Sequence, residues 1–189
     1  RWPIGKAAAA TLFEALGGLL IGTVAGVVMA GLTARFVTAR ELLLPLAIGA
    51  SAVPIIAFAP LMNNWFGVLN PLSKMAIVAV LVFFPVVVNV TRGLTQVEPA
   101  ALELMRSYAA SDSTVPWKVR VPNALPYFFT ALKVGTTLSL IGAIVGEYFG
   151  GSSEVLGRVI VQSASALRFD VTWAAIIVGA VTGIVLYLA

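Results

Sequence analysis

Apolar runs long enough to cross a lipid bilayer recur five times along these 189 residues, and that pattern restricts the chain to very few folds. A spanning helix needs about 20 mostly apolar residues. The runs extend from about Ala7 to Leu32, from Leu42 to Leu61 (or on to Phe66), from Ser73 to Val90, from Ala124 to Val145, and from Val171 onwards. Of all residues 60% are hydrophobic and only 11% charged, too little polar surface to cover a soluble core of this size. The expected class is an all-α membrane protein, a multi-span helical bundle forming one domain over residues 1–189. The chain opens on Arg1-Trp2-Pro3 and stops inside an apolar run at Tyr187-Leu188-Ala189, so it reads as a piece of a longer protein cut at both ends.

The net charge of +4 does not point to nucleic acid, because the basic residues stand singly between apolar runs, as membrane-flanking anchors do. Histidine and cysteine are absent, which excludes disulfides, thiol nucleophiles, Ser-His and Cys-His dyads and His-based zinc sites. No cofactor is expected and no catalytic residue stands out. If linkers alternate sides, Arg35, Arg40, Arg92, Arg106, Lys118 and Arg120 share one side, against Arg1, Lys6, Lys74, Arg158 and Arg168 on the other. The positive-inside rule leans by that margin toward a cytoplasmic Thr91–Asn123.

Gly18, Gly22 and Gly26 give the first run a flat face for a close helix neighbour, within the subunit or across a dimer seam. Glu14 reads as a headgroup-level residue. Pro45, Pro54, Pro60 and Pro85 remove backbone donors and favour kinks, which persist in lipid where neighbours or water satisfy the freed carbonyls. Polar groups at membrane depth are costly and often functional. Ser51, Asn89, Lys133, Thr136, Thr137 and Ser139 are therefore candidates for a translocation path, although hydroxyls often bond their own helix and Lys133 can snorkel. Glu147 precedes Gly150-Gly151-Ser152-Ser153, where it would line the path, meet a partner, or cap the turn. Gly150 to Asp170 reads as a linker.

The longest polar stretch, Thr91 to Asn123, contains Glu98-Pro99-Ala100-Ala101-Leu102-Glu103 and continues to Val121-Pro122. Pro99 fits a first helical turn. Leu102, Met105 and Ala109 then share one face, Glu103 can pair with Arg106, and the helix should stop near Ser111-Asp112-Ser113. Physics alone is satisfied by an amphipathic surface helix between two spans. The spacing says more. Glu103 is followed six residues on by Ala109, ten further by Val119, then by Val121-Pro122. This resembles the Glu-Ala-Ala…Gly…Ile-x-Leu-Pro loop of binding-protein-dependent ABC import permeases, with Leu104, Met105 and Ala109 where the family places small residues. Pro45-Leu46, Pro60-Leu61, Asn64-Trp65-Phe66-Gly67, Phe84-Pro85 through Gly93, and Gly146-Glu147-Tyr148-Phe149 look like the subgroup that takes up nitrate, sulfonates, taurine and thiamine- or riboflavin-type precursors.

The resemblance implies a type I importer permease with six spans, five of them here, both termini in the cytoplasm, and a multi-pass place in the bacterial inner membrane. It implies a coupling helix that docks on a cytoplasmic ATPase through Glu103, Leu104, Met105, Arg106, Ser107, Tyr108, Ala109, Ala110, Ser111, Asp112 and Pro122. The implied partners are ATPase subunits, an extracytoplasmic solute-binding protein, and a second permease copy in a homodimer. A different class, an ion-coupled secondary carrier, would want acidic residues deep in the bundle, and only Glu14 and Glu147 come close.

Overall fold

A helix with a glycine face lets an apolar neighbour approach until the two backbones touch, and that contact organises the molecule. A computed structural model describes residues 4–50, 54–111 and 113–188, so Ser51 and Asp112 lie outside the described residues. Helix α1 (Ile4–Arg35) and helix α4 (Pro71–Thr95) run parallel along their lengths. A Cβ at Gly18 would lie 2.4 Å from Val78 Cβ, one at Gly22 2.5 Å from the Ala79 carbonyl, and one at Gly26 2.7 Å from Val86 Cγ1. The small-residue face thus serves packing within the chain. In lipid this closeness stabilises through dispersion, since apolar side chains gain little by leaving acyl chains for protein. At the far end of the pair the Thr33 and Thr91 hydroxyls bond at 2.8 Å.

Helix α6 (Val121–Phe149) lies antiparallel against α4, and its own glycines make the approach possible. Gly135 faces Val82, Gly142 faces Leu81 and Val78, and Gly146 faces Ile77 and Lys74. Val78, Val82 and Val86 are wholly buried between α1, α4 and α6, together with Ala15, Ala131 and Ala143. Helix α8 (Phe169–Leu188) is apolar all round and buries little of itself. Trp173, Ile177, Val181 and Ile184 are mostly exposed, as lipid-facing positions are.

Three expectations need correction. The second apolar run is not one spanning helix. Helix α2 (Val37–Ala50) ends, Pro54 is extended, residues Ile55–Phe58 form a 3₁₀ turn, and α3 (Ala59–Phe66) follows. Pro54 has no N–H to continue the ladder, whereas Pro60 sits in the first turn of α3, where no N–H is needed. Among the described residues four helices, α1, α4, α6 with its Pro116–Arg120 lead-in, and α8, are long and apolar enough to span.

Gly150 to Asp170 is not merely a linker. It holds helix α7 (Leu156–Ser165), whose buried Leu156 and Val159 join Ala7 and Ala175 in a second core. Helix α5 spans Pro99–Ser107, four residues shorter than a stop at Ser111 would give. Ala109 adopts φ 48° and ends it.

Candidate coupling site and a buried charge cluster

Helix α5 starts on Pro99 and ends in a Schellman cap: the Ala110 N–H reaches the Met105 carbonyl at 3.0 Å and the Ala109 N–H the Arg106 carbonyl at 2.9 Å. That cap needs a left-handed residue at position 109, where an alanine pays for its Cβ. We expect Ala109→Gly to raise the stability of the loop by about 1 kcal/mol, read as slower amide exchange over 99–110. Equal or faster exchange would contradict the strain.

None of α5 is buried, and it stands clear of the other helices. Glu103, Leu104, Arg106, Ser107 and Tyr108 are exposed, while Leu102 and Met105 are half-buried. Tyr108 is 76% exposed, Leu104 56% and the nearby Trp117 74%, large apolar surfaces at the end of a polar loop. Glu103 and Arg106 make no ion pair; Arg168 with Asp170, at 3.6 Å, is the one pair among the described residues. Ser107 bonds back to the Glu103 carbonyl at 3.1 Å, and Ser111 bonds Ser113 and Thr114 beyond the cap.

The loop is rooted firmly. Residues Pro116–Arg120 form a π turn that runs directly into α6, with Pro122 in the first turn of that helix. The Asn123 side chain donates to the Gly93 carbonyl at 2.7 Å and to the Gln96 carbonyl at 3.2 Å, tying the start of α6 to the end of α4. A Cβ at Gly93 would lie 2.7 Å from Ala124 Cα, so the two helices touch at the base of the loop. Asn123 carried no signal in the sequence beyond its place after Pro122.

The membrane-depth candidates do not converge. Asn89 bonds the Pro85 carbonyl of its own helix at 2.8 Å. Thr136 bonds the Lys133 carbonyl at 2.7 Å, Thr137 the same carbonyl at 3.5 Å, and Ser139 the Thr136 carbonyl at 2.8 Å. Ser139 is wholly buried. Thr137 faces an open groove of about 370 Å³ between α6 and the end of α8, shared with Thr130, Lys133 and Tyr187.

Glu147 is wholly buried, as is Lys74, and Glu14 is 5% exposed. These charged side chains, from α6, α4 and α1, act on one another electrostatically in the interior. Glu14 is therefore packed inside the bundle, beside residues near the ends of α4 and α6. Lys74 donates to the Val68 carbonyl, and Glu147 Oε2 accepts the Gly157 N–H at 2.6 Å. The Glu14 and Glu147 side chains lie within hydrogen-bond reach of each other, and Thr11 bonds Glu147 as well. An ion-coupled carrier would need such acids open to a path, whereas here they are enclosed. Sequence reasoning missed Lys74. An apolar run that begins one residue before a lysine makes that lysine look like an interfacial anchor.

A bundle of spanning helices with a capped, protruding helix between two of them defines an integral membrane subunit built to engage something outside the bilayer. The chain belongs to the family of binding-protein-dependent transport system inner membrane components, which it matches over residues 22–189. It is 34% identical over 168 residues to a probable ABC transporter permease of Haemophilus influenzae, covering 89% of this chain and 68% of that protein. It is also 34% identical over 140 residues to a formylaminopyrimidine transport permease of Halalkalibacterium halodurans, covering 74% of this chain and 55% of that one. Other relatives carry names for aliphatic sulfonate, riboflavin, taurine and nitrate transport. The inward-facing MetNI methionine ABC transporter shares the fold, with a TM-score of 0.65 at 18% identity over 97% of this chain and 90% of that one. The chain is thus a multi-pass inner-membrane permease component with a type I importer fold.

Proposed function

We propose that the chain forms half of the solute path of an ATP-driven importer and takes up force through α5. The observation that carries this is a rigid, capped helix with Leu104 and Tyr108 exposed, standing clear of the bundle yet rooted in α4 and α6 through Asn123 and Gly93. Exposed apolar surface of this kind calls for a partner. A cytoplasmic ATPase, which hydrolyses the ATP, is that partner. Residues 91–123 then lie in the cytoplasm, and α7 lies on the outer face, where a solute-binding protein delivers its cargo.

A second copy of the chain completes the path, and ATP-driven closure of the ATPase pair rocks the spans between inward- and outward-facing states. Glu103 is the polar anchor of the docking helix. Arg106, Ser107, Tyr108 and Asp112 are its further contacts, and Ser51, Asn89, Thr136, Thr137 and Ser139 remain the polar groups of the spans nearest a path, whereas Glu147 is enclosed between helices and stands apart from it. The names of the relatives support a small organic or oxyanionic solute, of the sulfonate, taurine, nitrate or vitamin-precursor type.

Co-purification in detergent with the ATPase expressed alongside it tests the assignment. The intact chain should retain the ATPase, and a chain lacking residues 99–107 should retain none. Equal retention by both would refute docking through α5.

A further inference from the structure

Helix α7 has no cap of its own. Its N-cap residue, Val155, offers no side-chain acceptor, although the first N–H groups of any helix need partners. Two other helices supply them. Thr11 Oγ1 of α1 accepts the Leu156 N–H at 2.9 Å, and Glu147 Oε2 of α6 accepts the Gly157 N–H at 2.6 Å, both in the interior.

Gly157 is also seated on the backbone of α6. A Cβ there would lie 2.6 Å from the Ile144 carbonyl and 2.7 Å from Glu147 Cβ, so no other residue fits and α7 has no room to slide. At its other end, the Ser163 and Thr172 hydroxyls bond at 2.8 Å and tie α7 to α8.

A neutral side chain would cap the Gly157 amide at a much lower burial cost than an ionisable carboxyl group. The carboxyl group adds a link to α4, because Lys74 packs against Gly146, the neighbour of Glu147, where a Cβ would lie 3.4 Å from the Lys74 Cγ, and also holds the Val68 carbonyl in the turn before α4. One network therefore joins α1, α4, α6 and α7. A shift of α4 against α6 changes the electrostatic support of Glu147, and with it the hold on α7. Any event that stabilises one arrangement of α7 must then bias the spans by the same free energy.

We propose that Glu147 is a positioning residue that makes α7 travel with the spans, so that a solute-binding protein seated on that face senses and biases their state. This rests on the importer assignment above.

The test uses the full chain with its ATPase in lipid nanodiscs, in wild-type form and as Glu147→Ala, Glu147→Gln and Thr11→Val. Thr11→Val keeps Glu14, Lys74 and Glu147 in place while removing the hydroxyl that caps Leu156 and bonds Glu147, and it serves if Glu147→Ala does not assemble. Amide exchange over 155–160 reads the tether without any partner, and we expect it to rise at least tenfold in Glu147→Ala and Thr11→Val. Glu147→Gln keeps an acceptor and should restore most of the protection.

The concentration of loaded binding protein that half-saturates ATPase stimulation should rise about tenfold in the same two variants, with basal ATPase within twofold. A merely structural role would lower basal and stimulated rates together. Unchanged exchange would overturn the tether. Faster exchange with unchanged half-saturation, or a joint fall of both rates, would overturn the relay. A wild-type complex that binding protein does not stimulate would overturn the importer assignment and the relay with it, while the exchange arm would still decide the tether.

Discussion

Alanine in place of Glu103 is expected to cut solute uptake at least tenfold while leaving the spans folded. The side chain is exposed and makes no ion pair among the described residues, so its removal should leave the bundle undisturbed. What it loses is a contact with the partner. A hydrogen bond to a charged group is worth about 1.5–3 kcal/mol, and each 1.4 kcal/mol is about a tenfold change in equilibrium. ATPase docking should weaken tenfold or more, and hydrolysis should proceed without matching transport. Uptake into proteoliposomes, measured beside ATP consumption, checks this. Full transport at the normal ATP cost would count heavily against Glu103 as the docking anchor.

The largest loss of stability is expected from Gly22→Leu. The α1–α4 seam leaves no space at that position, where a bare Cβ would already stand 2.5 Å from the Ala79 carbonyl and 3.0 Å from Val82 Cβ. Backbone atoms cannot rotate away, so the helices must separate along the seam. Overpacking a core costs about 1–3 kcal/mol and occasionally more, and a seam made of backbone contacts belongs at the upper end. At about 2–4 °C per kcal/mol for a chain of this size, the melting temperature in detergent should fall by roughly 6–12 °C. Gly31, with nothing near its Cβ position, is the control, and Gly31→Leu should stay close to wild type. Equal melting of Gly22→Leu and wild type would mean that α1 and α4 do not pack as described.

What the sequence disclosed, it disclosed through length and period. The spans α1, α4, α6 and α8 were legible because an apolar run of that length has few alternatives in water or lipid. The break between α2 and α3 was not, because hydropathy is blind to a missing N–H, although Pro54 and Pro60 marked the place. Helix α7 was hidden behind Gly150-Gly151-Ser152-Ser153; Leu156, Val159 and Ile160 at helical spacing were the available signal.

Helix α5, the proposed coupling helix, was marked by the spacing from Glu103 to Pro122, and its geometry turns left-handed at Ala109. The charge cluster as a cluster left no local trace. Glu14, Lys74 and Glu147 stand far apart along the chain and meet only because three helices pack, so Glu14 and Lys74 resembled interfacial residues and Glu147 a path or capping residue. The hydroxyls of α6 had the opposite fate: conspicuous in an apolar run, they are mostly spent on their own helix.

The unpartnered state of α5 has a cost for the cell. Until its docking site is covered, a newly made subunit holds an aromatic, greasy knob in water, the kind of mark that quality-control proteases and chaperones seize. Surplus subunits would be cleared first at that knob, and the stoichiometry of the finished machine would be policed by the very surface that drives it.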